Sequence, residues 1–302
     1  MSDALIGPIR PPGLHLMSFN IRRPVPHFNQ RHPDLWANRR QLVRRLLASE
    51  RPTVLGVQEA LPEQIEWVLA SLGSGYRSLG RDHSPTGSLS GTGSPTRTRT
   101  RTRTGTGSGF DGAGGILAGE ATPIIFDSRR LELVGWRQPA LSATPHVAGS
   151  RTWGNLFPRA AVVAHFVDRS TGNRLCVINT HLDPLSRRSQ LESARMLLRL
   201  VKEQDDPAVV MGDANADIGS APYRELTAGE VLRDSWAVAE HRLTEAWGTF
   251  SNYRAPRAGR RIDWIMVTAG ITVHAAGINA VRFGGAAASD HEPVQTAVTV
   301  GA

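Results

Sequence analysis

The sequence predicts an α/β protein in which two mixed β-sheets pack on each other and helices cover the outside. Three observations predict this fold class. The first 72 residues alternate strand, helix, strand, helix, as α/β proteins do. From residue 120 onward, apolar stretches of strand length follow one another with short connections. No change in composition separates two cores, so we expect one domain over residues 1–302 with a core at about 14–298.

The amino-terminal part contains two predicted strands and two predicted helices. The strands are expected at 14–19 and 53–57. The first helix is expected at 34–49, where apolar residues fall near helical spacing and Asp34 can cap the start. The second is expected at 62–72, because Pro62 is favoured in the first turn of a helix.

The later part is richer in strands, with one amphipathic helix at 189–203. The turn 169–173 has the composition of a hairpin connection. The predicted strands lie at 120–126, 131–136, 159–167, 174–179, 207–211, 261–267, 271–281 and 294–298.

Segment 84–109 differs from the rest of the chain. It consists almost entirely of Gly, Ser, Thr, Pro and Arg, with a Thr-Arg alternation through residues 97–103. A segment with so few apolar residues cannot bury enough surface to offset the entropy lost on ordering. We therefore expect a disordered low-complexity loop. It is either a basic arm that contacts phosphates or a tolerated surface insertion, and we favour the insertion.

Composition and charge limit the class of protein. The formal net charge is +8, which attracts phosphate-bearing partners. Lys202 is the only lysine, however, so the arginine bias also fits genome composition. Cys176 is the only cysteine and indicates no oxidising compartment. Without an apolar run of signal-peptide or membrane-spanning length, we expect a cytoplasmic monomer that does not insert into membranes.

Polar residues follow several predicted strands, at the point where each strand ends. Asn20 and Glu59 follow the first two, and ligand sites in α/β sheets favour this edge. In Gly212-Asp213-Ala214-Asn215, glycine permits a tight turn, and Asp213 and Asn215 project to one side. Their oxygen atoms suit Mg²⁺. Each residue alone also fits a structural role, and an EF-hand loop is excluded because its glycine and glutamate are not at the required positions.

A second pattern pairs a buried acid with a histidine. Asp263 lies inside an apolar strand and needs a partner, which His291 in Ser289-Asp290-His291 supplies. Such a carboxylate fixes the imidazole tautomer and leaves the other ring nitrogen free to take a proton. A purely structural Asp–His pair is the alternative. Together with His181 after another strand, these groups predict a metal-dependent phosphoesterase.

The sequence resembles the endonuclease/exonuclease/phosphatase superfamily over about residues 14–298, because it contains motifs of that family in the same order. The resemblance implies a four-layer α/β sandwich with the site at the top of the two sheets. The matching motifs are Ser18-Phe19-Asn20-Ile21-Arg22, Gly56-Val57-Gln58-Glu59, Gly119-Glu120, Pro158-Arg159, Asn179-Thr180-His181-Leu182-Asp183, Gly212-Asp213-Ala214-Asn215, Arg261-Ile262-Asp263 and Ser289-Asp290-His291.

The resemblance implies Mg²⁺ as cofactor, with Mn²⁺ as the alternative. Glu59 would be the main ligand, with Asn20 and Asp290 near it. Asp213 and Asn215 would orient the attacking water or a second ion. Whether one or two ions act stays open.

The resemblance also implies the remaining roles. His291, held by Asp263, would act as the base or as a donor to the phosphate, with Asp213 as the other candidate base. His181 and Arg159, together with Asn215, would bind the phosphoryl oxygens. Glu120 would position His181.

The resemblance leaves the substrate open. The leading expectation is a phosphodiester, with nucleic acid as one candidate substrate. A phosphomonoesterase or a lipid or inositol phosphate hydrolase is the alternative, and a catalytically silent binding module is the alternative of another class. Glu292 departs from the usual apolar residue after His291. It either binds metal or faces solvent, and we favour solvent.

Overall fold

The fold consists of two β-sheets packed face to face, as seen in a computed structural model that describes residues 4–81, 90–91 and 120–301. Within these residues each sheet has seven strands. The order in the first sheet is β11 (His241–Arg242), β13 (Ile271–Ile278), β14 (Val294–Val300), β1 (Leu14–Asn20), β2 (Val54–Gln58), β5 (Ile124–Asp127) and β3 (Tyr76–Leu79). The order in the second is β10 (Arg233–Asp234), β12 (Asp263–Val267), β9 (Ala208–Asp213), β8 (Arg174–His181), β7 (Ala161–Asp168), β6 (Leu131–Arg137) and β4 (Ser90–Gly91).

Helices cover the outer face of each sheet. Helices α1 (Trp36–Glu50) and α2 (Pro62–Leu72) share an apolar cluster with β1 and β2. Helix α3 (Arg187–Lys202) and the shorter α4 (Ala221–Thr227) share another with β8 and β9. A 3-10 turn at Ala228–Glu230 and the four-residue α5 (Ser235–Val238) follow.

The strands alternate their side chains between these layers. In β1, Leu16 faces the opposite sheet whereas Met17 faces the helices. In β8, Val177 and Ile178 divide in the same way. Strands buried on both faces have nearly continuous apolar sequences, as these do. The four-layer α/β sandwich is therefore confirmed.

Most predicted elements form close to their expected positions, and 169–173 connects the antiparallel pair β7 and β8. Asp34 does not cap α1, because the helix begins after Leu35, which provides no side-chain cap. The strand expected at 120–126 begins only at Ile124. Before it, Ala121 forms an isolated bridge to Ala60 and no continuous ladder. Strand β3 and helix α4 were not predicted.

Several sequence predictions stay untested. Segment 84–109 lies outside the described residues, apart from Ser90–Gly91, which pair with β6. Its disorder therefore stays a prediction, as does the single-domain organisation. In the described part of the chain, no helix has both the length and the apolar character needed to span a membrane.

The strand directions bring six chain segments to one edge of the sandwich. Strands β1 and β2 are parallel, as are β8 and β9, so their carboxyl ends meet at this edge. Strand β12 runs antiparallel to β9 and places Asp263 opposite Asp213. Strand β14 runs antiparallel to β1, which brings the preceding residues Asp290 and His291 to the same place.

A buried amide joins the two sheets below this edge. Asn179 on β8 donates through Nδ2 to the carbonyls of Val57 and Pro123 at 2.9 Å each. Its Oδ1 accepts from Gln58 Nε2 at 2.8 Å. Gly56 makes room, because a Cβ there would lie 2.6 Å from Asn179 Oδ1. These contacts fix the ends of β2 and β8 relative to each other.

Candidate active site

The predicted residues surround one cavity of about 370 Å³ at this edge. Two of them, Asn20 and Asp263, lie directly behind its wall and are 0% and 2% exposed. The others line it: Glu59, Glu120, Arg159, His181, Asp213, Asn215, Asp290 and His291. The structure therefore brings together all ten residues named from the sequence.

His291 lies between two buried aspartates. Its Nδ1 donates to Asp263 Oδ2 at 2.9 Å, and its Nε2 lies 3.7 Å from Asp213 Oδ2. Burial alone would lower the pKa of His291, but the charges of Asp263 and Asp213 raise it well above its usual value. Burial and the charge of Asp263 raise the pKa of Asp213 to about 7. The two neighbouring carboxylates therefore favour the protonated, positively charged form of His291.

Asn20 connects the carboxylates of the two sheets. Its Nδ2 donates to Glu59 Oε1 and to Asp213 Oδ2, both at 3.0 Å. Its Oδ1 accepts from the backbone N–H of Arg22 at 3.0 Å. In this arrangement Asn20 orients both acids, and its role as a metal ligand stays a prediction.

Glu59 and Asp290 form the acidic side of the cavity. Burial opposes ionisation of Glu59, but the Arg22 charge and the Asn20 hydrogen bond lower its pKa below the usual value. Burial and the charge of Glu59 raise the pKa of Asp290. Arg22 lies 3.6 Å from Glu59 Oε2 and 3.5 Å from Asp290 Oδ2. The carboxylate oxygens of Glu59 and Asp290 are the donor type that fits a hard divalent cation.

The turn after β9 places Asp213 beside Asn215 and His181. Asn215 has a φ of 50° and donates its backbone N–H to Asp213 Oδ1 at 2.8 Å. Its Nδ2 donates to His181 Nε2 at 3.0 Å. Gly212 is required, because its φ is 147° and a Cβ would lie 2.0 Å from the Thr180 carbonyl oxygen. The turn therefore places Asp213 and Asn215 side by side, as the sequence predicted.

The opposite side of the cavity is cationic. Arg159 is 4% exposed, and its Nε and Nη1 have no hydrogen-bond partner within the described residues. Buried donors without partners are costly, so this guanidinium is suited to an anion in the cavity. Glu120 lies 3.5 Å from Arg23 Nε, and burial together with the Glu59 charge raises its pKa to about 7. The expected contact of Glu120 with His181 stays a prediction.

No role was predicted for Arg22, although two arginines shortly after the first strand were a usable signal. Arg22 Nε also lies 3.3 Å from Asp34 Oδ1, which accepts from Tyr253 Oη at 2.6 Å. His27 Nε2 donates to the other carboxylate oxygen at 2.9 Å. His27, His32 and Asp34 have ligand atoms within 4.8 Å of one another, but both Asp34 oxygens are already engaged. This cluster therefore braces Arg22.

Arg39 is a second residue whose role was missed. It is fully buried on α1 and donates to the carbonyls of Ile21 and Arg22. It also donates to the backbone carbonyls of Arg23 at 3.1 Å and Asp34 at 3.0 Å. Arg39 precedes the buried Val43 and Leu46 by four and seven residues, so helical periodicity places it on the inner face of α1 and was a usable signal.

Two further residues support the Asp263–His291 pair. Thr249 Oγ1 accepts from the backbone N–H of Asp263 at 3.1 Å. The ring of Phe250 meets the His291 ring edge to face at 5.0 Å between centroids. Glu292, which we expected to face solvent, is 2% exposed and paired with Arg282 at 3.0 Å, so that expectation is wrong.

Comparisons with known proteins agree with this geometry. The sequence model of the endonuclease/exonuclease/phosphatase family matches residues 17–291. A family member from Bacteroides thetaiotaomicron superposes with a TM-score of 0.79 at 23% identity, covering 97% of this chain and 100% of that chain. A mannosyl-6-phosphatase from Bacteroides thetaiotaomicron VPI-5482 gives 0.76 at 23% identity, covering 95% and 99%. TDP2 from D. rerio, complexed with a single-strand DNA product, gives 0.63 at 17% identity, covering 96% and 100%.

No curated protein sequence matches the chain significantly. The structural similarities at these identities show the shared fold, whereas the family match covers most of the sequence and the motifs of the cavity. The chain therefore belongs to the endonuclease/exonuclease/phosphatase family, whose members hydrolyse phosphoester bonds.

Proposed function

We propose that this protein is a Mg²⁺-dependent phosphodiesterase. The observation that carries the proposal is that one cavity combines the carboxylates of Glu59 and Asp290 with the guanidinium of Arg159, whose Nε and Nη1 have no hydrogen-bond partner among the described residues. A phosphate ester needs both kinds of group, since its oxygens bind a metal ion and hydrogen-bond donors at once. Mn²⁺ is the alternative cation.

Glu59 and Asp290 would hold the ion, with Asn20 orienting Glu59. When bound, Mg²⁺ supplies Lewis-acid stabilisation of a phosphoryl oxygen. Glu59 suits this role because its pKa is lowered and its carboxylate is ionised at neutral pH.

Asp213 would orient the attacking water and accept its proton. A general base works best with a pKa near the operating pH, and that of Asp213 is raised to about 7. Asn215 and Asn20 hold this carboxylate through hydrogen bonds of 2.8 and 3.0 Å. The alternative base is His291.

His291, His181 and Arg159 would stabilise the charge that develops on the phosphoryl oxygens. The raised pKa of His291 favours an imidazolium that donates through Nε2, and Asp263 holds it in place. Donors placed at developing negative charge contribute about 3–4 kcal/mol each in other hydrolases. Glu120 would position His181.

The first test is the substitution Glu59→Ala, assayed on bis(4-nitrophenyl) phosphate with added Mg²⁺ or Mn²⁺ after EDTA treatment. We expect at least a 100-fold loss of kcat/KM with an unchanged circular dichroism spectrum. Glu63→Ala, an exposed change on α2, is the matched control. Full activity of Glu59→Ala, or activity unaffected by EDTA, would contradict the proposal.

A phosphomonoesterase is the second candidate. Arg22, Arg23 and Arg159 all line the cavity, and three guanidinium groups suit the dianion of a phosphate monoester. One structural neighbour is a mannosyl-6-phosphatase and another holds a single-strand DNA product. Parallel assays on mannose 6-phosphate, single-stranded DNA, RNA, an inositol phosphate and sphingomyelin would separate these substrates. No turnover with tight phosphate binding would indicate the silent binding module.

We further propose that the protein acts as a cytoplasmic monomer. The single cysteine, Cys176, which indicates no oxidising compartment, supports this location. Size-exclusion chromatography with light scattering tests the monomer, and fractionation of producing cells tests the location.

A further inference from the structure

A second cavity of about 220 Å³ lies next to the catalytic cavity, and Phe250 lines both. Its walls include the backbone of Gly248 and Gly259 and the side chains of Arg257 and Arg260. Among the described residues, no Asp or Glu lines it. Phe250 is 48% exposed, so its ring forms an open partition between the two cavities.

The loop that forms this cavity carries an excess of positive charge. Residues 248–261 contain four arginines and neither Asp nor Glu. Arg261 is engaged by Asp234 at 2.5 Å, but Arg260 lies 4.0 Å from Asp217 with 66% of its side chain exposed. Exposed pairs of this kind contribute less than about 1 kcal/mol. Arg257 is exposed and forms no ion pair with any described residue, so both guanidinium groups are available to phosphate oxygens.

The cavity has a defined position relative to the catalytic residues. Thr249 N–H donates to the Arg260 carbonyl at 3.0 Å, while its Oγ1 accepts from Asp263 N–H. Phe250 forms a backbone bridge with His291. Gly248 and Gly259 approach closely, since a Cβ on Gly248 would lie 3.0 Å from Gly259 Cα. The loop is therefore tied to the groups that hold the Asp263–His291 pair.

We propose that this cavity binds a second phosphate group of the substrate through Arg257 and Arg260, with Phe250 between it and the phosphate that is hydrolysed. This inference rests on the proposed phosphoesterase function. The second phosphate belongs either to the neighbouring nucleotide of a strand or to another position of a small polyol phosphate. A substrate with one phosphate leaves the cavity unused.

The test compares the double variant R257Q/R260Q with R44Q/R199Q, which removes the same formal charge from exposed positions on α1 and α3. Substrates are bis(4-nitrophenyl) phosphate, a single-stranded oligodeoxynucleotide and inositol 1,4-bisphosphate. We expect R257Q/R260Q to raise KM about 10-fold for a substrate with two phosphates, at unchanged kcat. Kinetics on bis(4-nitrophenyl) phosphate should not change. An increase in KM that is confined to the oligonucleotide, or to the bisphosphate, identifies the source of the second phosphate.

Binding without turnover keeps the two proposals separate. Fluorescence anisotropy of a labelled oligonucleotide and competition by inositol 1,4-bisphosphate measure the two affinities. R257Q/R260Q should lower at least one of them about 10-fold and flatten its salt dependence. If the wild type hydrolyses no substrate but this loss is seen, the phosphoesterase proposal fails and the subsite stands. Equal affinities in R257Q/R260Q and the wild type, or equal losses in R44Q/R199Q, would overturn the subsite.

Discussion

His291 Nδ1 lies 2.9 Å from Asp263 Oδ2, although the two residues come from different sheets of the sandwich. Asp263 begins β12 in the second sheet, and His291 precedes β14 in the first. The pair therefore depends on the packing of the sheets as well as on its own hydrogen bond. It also determines which ring nitrogen of His291 faces the cavity.

Asp263→Asn should reduce kcat on a diester substrate by roughly 10²- to 10⁴-fold, because Asn favours the wrong tautomer of His291 and removes the charge that raises its pKa. The pH dependence of kcat should change shape as the pKa of His291 falls. Asp205→Asn, at an exposed position, is the control and should behave as wild type. A kcat of Asp263→Asn within 3-fold of wild type would show that the pair is only structural.

Asp213 should make stability depend on pH. Its pKa in the fold, raised to about 7, exceeds the value near 3.9 of an unfolded chain, so the folded protein binds this proton more tightly. The resulting stabilisation is complete below about pH 4 and is lost as pH rises through 7. Asp213→Asn lacks this loss. We therefore compare the Tm of Asp213→Asn with that of wild type in EDTA. The Tm of the variant minus that of wild type should be larger at pH 8 than at pH 5. The same Tm difference at pH 5 and pH 8 would contradict the raised pKa of Asp213.

Gly212→Ala should destabilise the protein strongly, by about 3 kcal/mol or more, because its Cβ would lie 2.0 Å from a backbone oxygen. Gly172→Ala is the matched control: its φ is also positive, at 77°, but nothing lies within 4 Å of the new Cβ. The control should cost only about 1–2 kcal/mol. Urea unfolding of both variants measures the difference, and similar losses would show that the contact is easily relieved.

Arg39→Met should cost about 3 kcal/mol or more of unfolding free energy, since the buried carbonyls of residues 21–23 would lose their donors. Because this backbone positions Asn20 and Arg22, Mn²⁺ affinity should fall as well. Arg44→Met, at an exposed position on the same helix, is the control. Isothermal titration and urea unfolding provide the two measurements. Unchanged Mn²⁺ affinity in a destabilised Arg39→Met protein would limit Arg39 to a structural role.

Local sequence predicted which polar side chains lie together at the cavity, because the signal for a strand end is local. An apolar strand followed at once by a polar residue marks the carboxyl end of that strand, as at Glu59 and Asp213. Asp34 and Glu292 were misassigned for the opposite reason. Each contacts a partner outside its own element: Asp34 accepts from Tyr253 at 2.6 Å, and Glu292 accepts from Arg282 at 3.0 Å. The position of a residue in a helix or loop does not reveal such a partner.

The amino-acid sequence was enough to predict the alternation of apolar strands and helices, and the polar strand ends that meet at one edge. How those polar groups are paired depends on the tertiary structure. Asn20 joins Glu59 to Asp213, Arg39 holds the chain at 21–23, and Phe250 separates two cavities. Periodicity reports on burial along a single element, whereas these pairings arise from the packing of two sheets and the loops between them.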